Sequence, residues 1–444
     1  MIDRLRTYWD VNLFAWRVLH GRSWLGLAWP PLFFLASAVL ALGDFHGSAW
    51  FSFAIGLLGL AGTAWAFGNG MRAPADRSLK DDDAFILDLV EGTALAPGRV
   101  DGEGGFEVER QSPTQALLRS KAFDRWLRAH PMPSRIVDAD KAAGAGSKPA
   151  VVNRFIRSFA RDLEALLRWH ARRSSAGGEP QRLFNEAKIG LVDDAPRKLD
   201  GDRFGIYRTS YFHSLLTNEG VTKVLETRGV VPYRVFEGNK YFPFESGPGS
   251  PIRSLADSCM ADHSGVSTLV VTRDRKLVMW RQSAHAQQSR NRLVATGSGS
   301  CDWSDLVEGD LKATLIRAME REFHEESFGG DRKARVECDT RVIGYFRWVR
   351  RGAKPEFTGA TWADVDASAL IPDCSEVDAP AHLPLVRQVT SLGGLLEELD
   401  EIIDRADTSL SLWANAMALR EAIHEDPDEW TRFLLERDSG SASS

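Results

Sequence analysis

The sequence predicts an α/β protein in three parts: an N-terminal two-helix transmembrane hairpin, a helical connector, and a cytosolic mixed-sheet domain flanked by helices. Three observations carry this. Asp44 is the one Asp, Glu, Lys or Arg between Ser23 and Met71. After Arg182 come short β-rich runs broken by Gly, Asp and Asn. A long helical pattern follows at Asp305 to Ser327, with three more toward the C-terminus. The 444 residues are enough for about three domains. With 43% apolar and 26% charged residues, disorder along the whole chain is excluded. The net charge of −6 leaves no basic excess for coating DNA, so DNA is not an expected partner. Cys259, Cys301, Cys338 and Cys374 lie far apart with no C-x-x-C spacing, which fits a reduced, cytosolic location.

The first part spans residues 1–78. Ser23 to Leu42 and Ala49 to Gly68 are each 20 residues without an Asp, Glu, Lys or Arg. As helices they would each reach about 30 Å, the thickness of a bilayer core. The link GDFHGS is short enough to force a tight hairpin. Arg4, Arg6, Arg17 and Arg22 precede the first span, and Arg72, Arg77 and Lys80 follow the second. The positive-inside rule then places both termini in the cytoplasm, with the spans in the cell inner membrane. Trp24 suits the interface, and Pro30 and Pro31 should kink the first helix. Gly56, Gly59 and Gly62 sit in small-xxx-small spacings that let helices approach closely. They serve packing within one hairpin or self-association into a homo-oligomer.

Residues 79–182 read as a helical connector. Asp81 to Glu91, Ser120 to Ala129 and Val151 to Arg173 have amphipathic spacing, separated by Gly- and Ala-rich stretches. Residues 183–440 form the third part. Its expected strands are Ala187 to Val192, Arg203 to Phe212, Val230 to Phe236, Val266 to Thr272, Lys276 to Arg281, Arg292 to Thr296 and Arg335 to Val349. Its closing helices are Gly393 to Arg405, Leu410 to His424 and Glu429 to Leu435.

The Asp305 to Ser327 helix carries the chemistry. In Arg321-Glu322-Phe323-His324-Glu325-Glu326 the three glutamates share one side of the last turns. Like charges so close call for a cation, and Mg2+ takes oxygen ligands, so Glu322, Glu325 and Glu326 are the candidate metal ligands. Arg321 can hold one of these acids through a bidentate pair. Upstream, TGSGSCDWSD supplies a glycine-containing loop.

This segment resembles the Nudix family, whose box has the form G-x5-E-x7-R-E-U-x-E-E-x-G-U. The core R-E-U-x-E-E stands intact at Arg321 to Glu326. The box's first glycine falls on Val307, its first glutamate on Ala313 and its last glycine on Phe328, with Gly329 displaced by one. The resemblance implies a Nudix-like fold, a magnesium site at the three glutamates, and weakened hydrolysis.

The architecture as a whole resembles the transmembrane effectors of bacterial CBASS anti-phage systems that carry a SMODS-associated Nudix domain. That resemblance implies a cyclic oligonucleotide ligand made by a partner cyclic-nucleotide synthase. It further implies oligomerisation, disruption of membrane lipid and death of the infected cell. Arg321, Arg347 and Lys354 are then candidates for phosphate contacts, and Phe357 and Tyr211 for stacking or binding the ligand. The alternative is a membrane-anchored Nudix hydrolase acting on nucleoside-diphosphate-linked substrates. A passive membrane tether is a third possibility.

Overall fold

Gly265 to Thr272 (GVSTLVVT) has every residue buried, because apolar and β-branched side chains leave it on both faces. A strand of that kind needs a layer above and a layer below. The computed structural model describes residues 86–88, 106–112, 115–137, 147–159, 166–167, 185–193, 203–226, 234–241, 252–282, 291–329, 335–372 and 385–437. In chain order the strands are β1 (Ile86–Asp88), β2 (Glu107–Ser112), β3 (Gln115–Arg119), β4 (Ser134–Ile136), β5 (Ala187–Leu191), β6 (Phe204–Ser210), β7 (Lys223–Glu226) and β8 (Arg234–Glu237). They continue with β9 (Gly265–Thr272), β10 (Lys276–Arg281), β11 (Leu293–Ala295), β12 (Gly297–Ser300), β13 (Cys338–Trp348), β14 (Lys354–Ala363) and β15 (Leu385–Gln388). The helices are α1 (Lys121–Ala129), α2 (Lys148–Ser158), α3 (Tyr211–Leu216), α4 (Leu311–Ser327), α5 (Leu392–Asp404), α6 (Leu410–Glu425) and α7 (Pro427–Leu434).

The chain is a mixed α/β protein built on a nine-stranded sheet of order β11-β10-β9-β14-β13-β3-β2, with β12 added beside β9 and β15 beside β10. β14 runs parallel to β9, and the remaining pairings in this sheet are antiparallel. Leu269 and Val271 of β9 enter a core with Leu395 and Leu399 of α5, Leu412 and Leu419 of α6 and Trp430 of α7. Val266 and Val270 point the other way, into clusters that include Leu315, Met319 and Phe323 of α4. The result is a helix–sheet–helix sandwich.

Several expectations shift. α4 starts at Leu311, not Asp305, because Gly309 has a φ of +82° and the Asp310 carboxylate caps the helix by accepting from the Ala313 N–H at 3.0 Å. β14 carries no alternation, being buried at all ten positions, and Gly359 within it lets Met319 of α4 approach. The connector is less helical than its sequence suggests. Ile86–Asp88 is a strand paired with β7, and β2 and β3 form a hairpin whose β3 adds to β13. The nine-stranded sheet thus draws strands from both sides of residue 182. α2 ends at Ser158, and most of the remaining helical stretch expected to Arg173 lies outside the described residues. So does the whole expected hairpin, with spans 23–42 and 49–68 and residues Trp24, Pro30, Pro31, Gly56, Gly59 and Gly62. Among the described residues no helix is long and apolar enough to cross a membrane.

A smaller lobe leans on the sandwich. Its antiparallel β1-β7-β8 sheet accompanies a core of Val152, Phe155, Leu166, Phe212, Leu215 and Phe236, while Ile189, Leu191, Phe204 and Ile206 of its β4-β6-β5 sheet pack into the core under α4. β5 seats itself on the sandwich through backbone bonds: Ile189 N to Cys301 O at 3.0 Å, Ser264 N to Ile189 O at 2.8 Å, and Leu191 N to Asp262 O at 3.1 Å. A buried ion pair fixes the seam. Lys148 Nζ donates to Asp262 Oδ2 at 2.7 Å and to the carbonyls of Ser258 (2.8 Å) and Leu255. Asn218 Nδ2 donates to the other Asp262 oxygen at 2.9 Å. Both side chains of the pair are fully buried, so losing one partner strands the other. Replacing Lys148→Met is expected to cost about 3–5 kcal/mol, read as a lower urea midpoint at unchanged slope. A loss near zero would mean that Asp262 does not depend on this lysine.

Candidate functional site

The glycine-containing loop expected before the helix is a strand. β12 pairs with β9 from Gly297↔Thr268 to Ser300↔Gly265 and lies under the last turns of α4. Its glycines are required by that approach. A Cβ at Gly297 would sit 2.7 Å from the Phe323 backbone nitrogen, and one at Gly299 would collide with the Glu322 carboxylate. The close approach lets β12 amides serve the acids: Ser300 N donates to Glu322 Oε1 and Ser298 N to Glu326 Oε2, each at 3.2 Å.

Arg321 organises the rest. Its Nε and Nη2 form a bidentate pair with Asp305 Oδ1 and Oδ2, both at 2.9 Å. Nη2 also donates to Ser300 O at 2.8 Å, and Nη1 reaches Glu322 Oε1 at 3.0 Å and Glu325 Oε2 at 3.1 Å. Burial works against the guanidinium charge, but Glu322, Asp305 and Asp302 more than offset it and raise the pKa above the usual arginine range. Glu325 is the most open acid of this set, its side chain 35% exposed against 12% for Glu322. Asp302 and Asp305, which the sequence reading passed over, form a capping box on the turn Trp303–Asp305. Their D-x-x-D spacing just ahead of a helix is the signal that could have found them.

Carboxylate oxygens are suitable donors for Mg2+, but their arrangement does not suit a metal ion. Among the described residues no group of three or more His, Cys, Asp or Glu converges on a metal position. Arg321 stands between Glu322 and Glu325, while Glu326 is engaged by the Ser298 amide.

The other candidates are dispersed. Arg347, expected at a phosphate, is buried and donates to Ala353 O at 2.9 Å and Arg253 O at 2.7 Å, which ties loop carbonyls together. Phe357, expected to stack on a base, lies in the core under α4 with Tyr345 5.0 Å away between ring centroids. Both thus make internal contacts. Lys354 is also buried, 2.5 Å from Glu356 Oε1, and burial pulls its pKa down to about 8. Tyr211 is half-buried at the edge of the small-lobe core, and burial raises its hydroxyl pKa. Lys354 and Tyr211 do approach one charge cluster. Within it Arg351 meets Glu219 at 2.5 Å and Glu356 at 3.3 Å. That cluster lies on the seam with the small lobe and not on the acid face of α4.

His263 adjoins it, buried, with Nδ1 lacking a hydrogen-bond partner among the described residues. Burial, then Lys354, Arg351 and Lys188, hold its pKa well below the ordinary histidine value. The unfolded chain therefore binds a proton below about pH 6.5 that the folded chain refuses, and stability falls as pH drops. Between pH 7 and 5 the melting temperature is expected to fall, and less steeply in His263→Gln; equal slopes would remove His263 as the cause. Gly297→Ala is expected to cost about 1–3 kcal/mol by forcing β12 away from α4, measured by urea unfolding. An unchanged midpoint would mean that this contact yields freely.

No family model matches the chain, and no curated protein matches it. Among solved structures it is similar to DR0079 from Deinococcus radiodurans, at 14% identity and a TM-score of 0.23, covering 37% of this chain and 83% of that one. It is also similar to Tm1382, provisionally assigned as a Nudix hydrolase, at 12% identity and a TM-score of 0.23, covering 36% and 70% respectively. A likeness of this size decides nothing about activity.

Proposed function

We propose that the chain is a membrane-anchored sensor–effector of a bacterial anti-phage CBASS system. Its Nudix-like part binds a cyclic oligonucleotide made by a partner synthase. Binding drives self-association, and the N-terminal apolar spans then disrupt the inner membrane. The observation that carries this reading is the intact Arg321 to Glu326 core, held on α4 against a glycine strand, together with Ala313 at the position where the Nudix box has its first glutamate. A receptor has use for a polar, ordered recognition face and none for rapid destruction of its ligand. The apolar stretches at 23–42 and 49–68 supply the membrane part of the argument.

The test titrates the full-length chain with cyclic di- and trinucleotides, with and without Mg2+, reading binding, ligand integrity and oligomeric mass together. One intact cyclic nucleotide should bind and raise the mass. No binding, alongside turnover of nucleoside-diphosphate-linked compounds, would overturn the proposal in favour of a tethered hydrolase. The double change Glu325→Gln with Glu326→Gln separates the two independently, since it should abolish turnover by a hydrolase.

A further inference from the structure

The ionic contacts of the acid face do not end on α4. Asp302 Oδ2 lies 3.7 Å from Arg321 Nη2, and Asp302 Oδ1 accepts from Lys188 Nζ. Lys188 belongs to β5 of the small lobe, is nearly buried, and also meets Glu186 at 2.9 Å. A backbone bridge joins the same two positions, Lys188 and Asp302. A continuous line of charge contacts thus runs from Glu325 through Arg321, Asp302 and Lys188 to Glu186.

The charge balance makes this line responsive. Five carboxylates, those of Glu186, Asp302, Asp305, Glu322 and Glu325, share two cations, Arg321 and Lys188. With cations in deficit, a change in one acid's demand on Arg321 alters what remains for the next. If Glu325 releases Arg321, the guanidinium has more charge to offer Asp302, and Asp302 then holds Lys188 less firmly. Asp302, Asp305 and Lys188 are largely buried, which limits screening in the middle of the line.

We propose that Lys188 is a positioning residue that couples the acid face of α4 to the small lobe, so that a ligand N–H donor that draws Glu325 away from Arg321 changes how tightly β5 is held on the sandwich. This rests on the reading of that face as the ligand-binding one and adds its regulation. The small lobe includes β1, the first described element after the N-terminal apolar stretches. It is therefore well placed to pass such a change along the chain.

The test uses the full-length chain without ligand, so it can fail separately from the nucleotide titration. Amide hydrogen exchange is followed at Ile189 and Leu191, which bond to Cys301 and Asp262. Glu325→Gln is expected to speed exchange there at least roughly fivefold, the lower end of ordinary inter-site coupling. In a Lys188→Met background it should add nothing, whereas Lys188→Arg should preserve the response. Should Lys188→Met not fold, Asp302→Asn breaks the same link and takes its place. Unchanged exchange in Glu325→Gln, or an equal change in the broken-link background, would overturn the proposal. So would the same acceleration from Glu429→Gln, whose partner Arg341 lies outside this line of contacts.

Discussion

The guanidinium of Arg321 is the contact on which the arrangement of this face depends. It joins three pieces of chain: the turn at Asp302–Asp305, the end of β12 at Ser300, and the acid-bearing turns of α4. A planar fork suits this better than an ammonium, because its donors are spread in a fixed plane and can serve a bidentate carboxylate and a carbonyl at once. Without a cation there, Asp305, Glu322 and Glu325 would repel one another in a partly buried setting, a cost that grows as water is excluded. The acidic cluster therefore persists because the chain supplies its own counter-charge from within the motif.

That fork can form only because two backbones come unusually close. Gly297 and Gly299 remove the side chains that would hold β12 off α4, and the exposed amides of Ser298 and Ser300 then become donors to Glu326 and Glu322. The same device recurs where Gly359 of β14 admits Met319. Close approach, amide donation and the arginine fork are thus one construction, and each part loses its purpose without the others. The two-sided burial of β9 and β14 supplies the rigid floor beneath it.

What could be read from the sequence follows from how local each signal is. The strands at Lys276–Arg281 and Gly265–Thr272 and the helices α5 to α7 were legible because periodicity and composition are local properties. β14 was missed because a strand buried on both faces has no alternation, and it carries Pro355 and Gly359, residue types depleted in strands. The hairpin at 107–119 was missed because EVERQS resembles a solvated surface, and only pairing with β13 gives it a place. At the site, the acids and Arg321 were legible from spacing alone. Lys188 was not, since nothing local tells a lysine on a short strand that its partner is Asp302, 114 residues away. The burial of Arg347 and Phe357 was hidden for a related reason: residue type suggests a ligand, and only packing reveals how deeply a side chain lies.

The departures from the Nudix-like box acquire a physical meaning once the helix is in place. The lost glycine and glutamate fall at Val307 and Ala313, at the entrance of α4, whereas the retained acids lie in its last turns. Nine residues separate Ala313 from Glu322, roughly 13 Å along a helix axis. The entrance is not left damaged. Asp310 caps Ala313, and Thr314 exchanges hydrogen bonds with Val307 while also reaching Asp310. A self-contained cap stands where the box would have placed its first glycine and glutamate, so the helix starts firmly without them. The two halves of the motif thus do separable jobs, one at the helix entrance and one on the acid face. A chain that keeps only the second half retains an ordered polar surface for recognition, which is what the proposed sensor requires and more than a passive spacer would need.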